Sequence, residues 1–177
     1  RFLQHAQFSS SEAEIAAVKS MGASAWLDSQ MSLPSSLGGW DWLAKQGYNA
    51  IDSNQFYQMD YQANFMAWNQ IMAAPDGVRR RMALALSEFF VASISGVSTI
   101  SWSQFAMGHY WDILCNNAFG NYRQLLEEVT LSIAMGEFLN TLGNQKEDAA
   151  TGRLPDENYS REVMQLFTIG LQQLNID

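Results

Sequence analysis

Val78-Arg79-Arg80-Arg81-Met82-Ala83-Leu84-Ala85-Leu86-Ser87-Glu88-Phe89-Phe90-Val91-Ala92 is the stretch that decides the fold. At 100° per residue, Val78, Met82, Ala85, Leu86, Phe89 and Phe90 gather on one face, the mark of an amphipathic α-helix. The three arginines at its start oppose the helix dipole and require nearby carboxylates. Glu88, close to the apolar face, is the expected buried partner. Ala74-Pro75-Asp76-Gly77 separates this helix from what precedes it.

The same signals recur on both sides. Ser11 and Glu14 form a capping box for a helix over 12–21, which Gly22 closes. Short helices follow over 23–31, with Trp26 and Leu27, and over 40–46, closed by Gly47. Between them, Pro34 to Gly39 is a loop rich in Ser and Gly, the one linker-like stretch. Asp52 with Gln55 caps a helix over 53–72, whose apolar stripe is Phe56, Phe65, Trp68 and Met72. Further helices are expected over 103–117, with Phe105, His109, Trp111 and Leu114, and over 122–133 behind the cap Asn121. Two more are expected over 135–142 and from Pro155-Asp156 to about Gln173, with the polar segment 144–154 between them. No repeat is present and no strand is expected. The class is all-α: a multi-helix globular bundle with short loops, in a single helical domain over 1–177.

Hydrophobic residues make up 47% of the chain and charged residues only 16%, so there is ample material for a core and disorder is excluded. The net charge of −8 argues against nucleic acid, which needs a basic stripe, and against anionic membranes. No apolar run is long enough to span a bilayer. The nearest, 82–102, is interrupted by Ser87, Glu88, Ser93, Ser95 and Gly96. A lone cysteine, Cys115, cannot close an intrachain disulfide, and with no CxxC or neighbouring base it reads as a core thiol. The chain opens on Arg1 and stops after Asn175-Ile176-Asp177, so both ends are expected to be cuts in a longer protein.

Candidate chemistry concentrates on the last helix. Tyr159, Val163, Leu166, Phe167, Gly170 and Leu174 form its apolar stripe, and Glu157, Asn158, Arg161, Gln165 and Thr168 lie opposite. Glu162 falls at the edge of the stripe, where a half-desolvated carboxylate needs a donor. Glu157, Asn158, Arg161 and Glu162 are therefore the candidate polar wall of a cleft. An amphipathic helix with an ordinary Glu157–Arg161 salt bridge accounts for the same spacing.

Elsewhere the candidates are sparser. His109 and Asp112, three apart, can share a helix face, which makes His109 a binding candidate oriented by a carboxylate. A locally bonded helical histidine fits as well. With two histidines and no HxxxH or HExxH pair, no metal site is expected. With no Walker loop, dinucleotide fingerprint or GxSxG elbow, no cofactor is expected either. Adjacent Glu127 and Glu128 point about 100° apart and make no dyad. Trp40 and Trp42, in a glycine-flanked segment, offer an aromatic platform for a sugar, although core filling accounts for most tryptophans.

The run Pro155-Asp156-Glu157-Asn158-Tyr159-Ser160-Arg161-Glu162-Val163-Met164-Gln165-Leu166-Phe167-Thr168-Ile169-Gly170-Leu171 closely resembles the signature of a bacterial family catalogued as domain of unknown function 1800. The usual pattern reads PDENYARE-(L/V)-M-(Q/E)-L-(F/H)-T-(I/L)-G, and Ser160 stands where Ala is common. Arg1-Phe2-Leu3 with Ala6 and Phe8, the block from Arg79 to Val91, the block from Asn117 to Thr130, and Ala134-Met135-Gly136 agree in order. The resemblance implies an N-terminal portion of an exported protein, periplasmic or secreted, with an exported sulfatase-like protein as partner and no established reaction. It also marks Glu157, Asn158, Arg161 and Glu162 as a functional or structurally central cluster, which Asn121 and Arg123 would join from another helix. Two functions follow: an accessory or binding protein working with an exported enzyme, or a hydrolase in which Arg161 and Asn158 position Glu162 as acid or base.

Overall fold

A computed structural model of the chain describes residues 1–171, and among these it is all-α, with one isolated bridge between Asp148 and Arg153. The helices of the first half are α1 (Phe2–Ala6), α2 (Glu12–Met21), α3 (Ala23–Met31), α4 (Gly39–Lys45), α5 (Gln62–Ala73) and α6 (Gly77–Phe89). Those of the second half are α7 (Ser103–Asn116), α8 (Tyr122–Thr130), α9 (Ile133–Phe138) and α10 (Asn158–Gln165). Helix α7 is the hub. Phe105, Tyr110, Trp111, Ile113, Leu114 and Cys115 are all buried, and α4, α5, α6, α8 and α9 pack around it. Leu43, Met66, Ala83, Phe90, Leu125, Val129 and Met135 complete the main core. A smaller cluster of Leu3, Trp26 and Val78 fastens α1 and α3 to α6.

Local chemistry sets the helix ends where the caps are strong. The Ser11 hydroxyl accepts from Glu14 N while Ser11 N donates to the Glu14 carboxylate, the reciprocal bonds of a capping box. Gly22 ends α2 at φ +85°, a conformation that costs a residue with a Cβ dearly. Asn121 Oδ1 caps α8 by accepting from Arg123 N and Gln124 N.

Several expectations are corrected. Helix α5 begins at Gln62 rather than near Ser53, because Asp52 accepts from Asn54 N in a local turn and Phe56–Gln58 form a 3-10 turn. Its expected core stripe faces outward, with Phe65 and Trp68 exposed at 52% and 66%. Ala63 and Met66 face inward instead, since the crossing with α4 and α7 is too close for aromatic rings. Helix α6 is turned by about a quarter of a revolution from the expected face. Met82 and Phe89 are exposed, while Arg79, Arg80 and Ala83 are buried. Glu88 is exposed and makes no buried ion pair; Asp76, which precedes the helix, takes that role.

Helix α9 starts at Ile133, two residues before the expected start, with Ser132 as its cap. Helix α10 stops at Gln165, well short of Gln173, because Gly170 adopts φ +85° and donates back to Met164 O at 3.1 Å. Leu166 is consequently exposed, and Leu174 lies outside the described residues. No helix among the described residues is long and apolar enough to cross a membrane.

Candidate functional site

The crossing of α4 over α7 is close because each helix carries glycine there. A Cβ on Gly39 would stand 2.7 Å from Met66 Sδ and 3.2 Å from Gly108 O, and one on Gly108 would stand 3.1 Å from Trp40 N. Asp112, one turn beyond Gly108, thereby reaches the N-terminus of α4 and accepts from Gly39 N at 2.5 Å and Trp40 N at 3.0 Å. Two amides that a helix start leaves without partners are satisfied, with negative charge at the positive end of the dipole. Burial pushes the Asp112 carboxyl above its ordinary value, outweighing the Trp40 and Gly39 amides and the charges of Arg80 and His109.

A buried ion network anchors the loop that leads into α4. Asp76 accepts from Ser36 N at 3.0 Å, Ser36 Oγ at 2.5 Å and Arg80 Nε at 3.1 Å. Burial raises the Asp76 carboxyl, but the Ser36 bonds and the Arg80 charge together carry it below its ordinary value. Arg80, fully buried, also donates through Nη1 to Cys115 Sγ at 2.8 Å and through Nη2 to Ser36 Oγ at 2.8 Å. Arg79 donates to Cys115 O and Leu33 O, and stacks over the Phe119 ring. A guanidinium is always charged and presents five donors in a rigid fork, so it can tie three segments together at once. Burial pushes the Cys115 thiol up to about 12, so it is inert as a nucleophile.

These restraints set Trp40 as one wall of an aromatic groove. Two adjoining cavities, of about 310 and 370 Å³, share Trp40, Trp102 and Phe105. Phe105 meets Trp40 edge-on at 4.9 Å and Trp102 at 5.7 Å between ring centroids. Ala44 and Asn49 line one end; Ile100, Ser101, Ala106, His109 and Ile133 line the other. Trp102 holds φ +64°, a left-handed conformation costing about 1–2 kcal/mol for an L residue, and its amide donates to Tyr57 O at 2.9 Å.

The residues singled out by sequence do not form one cluster. Arg161 pairs with Glu157 on the exposed side of α10, as the four-residue spacing allows. Asn158 N donates to the Asp156 carboxylate at 2.8 Å. Glu162 is half-buried, with no hydrogen bond or ion pair to its carboxylate among the described residues. Asn121 is engaged as the α8 cap and Arg123 is exposed, with no bond from either to the α10 residues. Helix α10 meets α8 instead through Tyr159 Oη and Thr130 Oγ1 at 2.5 Å. His109 is exposed at the groove rim, and its expected partner Asp112 faces α4. Of the two tryptophans expected as an aromatic platform, Trp42 is only partly exposed and packs toward Tyr48, whereas Trp40 is 47% exposed. Sequence reading missed Trp102, Ser36 and Asp76. The available signals were the glycines at 38, 39 and 108, which mark close backbone approach. No group of three or more His, Cys, Asp or Glu side chains among the described residues is placed to hold a metal.

An all-α protein carrying an aromatic groove beside α4 and α7, backed by a buried ion network, is the class that fold and site define. The chain belongs to the family described as protein of unknown function, DUF1800, whose family model matches residues 1–174. Neither the curated proteins nor the solved structures contain a match to it.

Proposed function

We propose that this chain is an accessory or binding protein of the cell envelope, periplasmic or secreted, that works beside an exported enzyme. One observation carries the reading: the groove is aromatic and neutral, while the buried charges behind it are engaged in holding loop and helix ends. A catalytic cleft would be expected to present a titratable pair or an activated nucleophile to solvent. The buried thiol and Asp112 face inward. The family signature adds a sulfatase-like exported protein as the expected partner. Affinity capture of the tagged full chain from the cells that make it tests this. A stoichiometric sulfatase-like partner supports the reading, and recovery of the protein alone overturns it.

Glu162, half-buried and without a partner among the described residues, favours a second reading, a hydrolase in which this carboxylate is the acid or base. Under it, Glu162→Gln abolishes turnover of a hydrolysable substrate and leaves the fold intact. Loss of the fold in that variant would make Glu162 structural.

A further inference from the structure

We propose that the groove between Trp40 and Trp102 binds an uncharged glycan, one sugar ring stacking on the exposed indole of Trp40. The proposal rests on the reading of the chain as a binding protein and adds the class of its ligand. Trp40 is 47% exposed, yet its backbone is held by Asp112 and its ring by Phe105. A large aromatic already ordered in the free protein loses little entropy on binding. Its negative face suits the C–H bonds that a pyranose presents on one side.

The rim supplies what the other side of a sugar needs. Asn49, Ser101 and His109 line the two cavities, and none of them makes a side-chain hydrogen bond within the protein among the described residues. An amide, a hydroxyl and an imidazole provide donors and acceptors for neutral hydroxyls. No Asp, Glu, Lys or Arg lines either cavity, so an ionic group on the ligand would find no counter-charge. The chain's net charge of −8 further disfavours acidic polymers. An apolar peptide would leave the three rim groups without partners, at a cost in affinity. Each cavity matches the roughly 300–1,000 Å³ usual for small-ligand sites. The left-handed backbone at Trp102 fits the same picture, since strain of this kind persists at ligand clamps.

Isothermal titration of the full chain with hexaoses of β-1,4-glucose, α-1,4-glucose and β-1,4-xylose, with a hexauronic acid as the charged counterpart, is the test. At least one neutral hexaose should bind, and Trp40→Ala should weaken it about tenfold or more, the scale of one aromatic stacking contact. Asn49→Ala, at an exposed side chain that makes no hydrogen bond among the described residues, removes a rim contact without risk to folding and should weaken binding about threefold or more. Trp68→Ala, an exposed tryptophan outside the groove, should leave affinity unchanged. Flat titrations with all three neutral hexaoses overturn the proposal. So does equal weakening by Trp40→Ala and Trp68→Ala, or tighter binding of the hexauronic acid. Flat titrations alongside a captured sulfatase-like partner would remove the glycan and leave the accessory reading standing.

Discussion

Arg80 is the residue on which the interior depends most. Its guanidinium joins Asp76 at the head of α6, Ser36 in the loop before α4 and Cys115 on α7. A buried pair of this kind adds little over a well-packed apolar substitute, but removing one member leaves the other charge stranded in low dielectric. Arg80→Met should therefore cost about 3–5 kcal/mol of unfolding free energy, measured by urea denaturation. Arg161→Ala removes an ion pair of the same chemical type, from a side chain 48% exposed facing one 76% exposed. Water already solvates both partners there, so its cost should stay within about 0.5 kcal/mol. Equal losses for the two variants would show that burial does not govern these pairs.

At the scale of elements, burial of α5 and α6 follows the width of the gap rather than the hydrophobicity of the stripe. Helix α5 places Met66 into the space that Gly39 leaves open, and its rings Phe65 and Trp68 project outward. Thermal or urea unfolding separates the two faces. Met66→Ala should cost about 2–5 kcal/mol, because a fully enclosed side chain is exchanged for a cavity. Trp68→Ala should cost under about 1 kcal/mol despite removing far more apolar surface. The element types were legible in the sequence because caps and closing glycines act locally: Ser11, Gly22 and Asn121 do in the structure what their positions announce. The buried faces were not. Helical periodicity ranks positions by hydrophobicity, so it could not place Arg79 and Arg80 inward, where Asp76, Ser36 and three backbone carbonyls receive them.

For the whole molecule, the same long-range pairing explains why only part of the site could be read in advance. Trp40 and His109 drew notice from residue type alone, whereas Trp102 joins them through a turn whose partner, Tyr57 O, is distant in sequence. Asp112 and Asp76 are two groups behind the groove through which this architecture answers to pH, and they act in opposite directions. Asp76 lies below its ordinary value of 3.8 when folded, so the native state binds its proton less readily than the unfolded chain. Its contribution is complete above the ordinary value and is lost as pH falls through the lowered folded value. Asp112 lies above its ordinary value of 3.8 when folded, so the native state favours its protonated form. Stability from Asp112 is present below the ordinary value and lost as pH rises through the raised folded value. Urea unfolding across the acid range should therefore show the gap between wild type and Asp76→Asn narrowing as pH falls. The gap between wild type and Asp112→Asn should widen over that same fall, because Asn cannot gain the proton that relieves the buried carboxylate. Parallel changes in the two gaps would contradict the opposed burial and bonding of the two carboxylates, and with it the account of how loop and α4 are held around the groove.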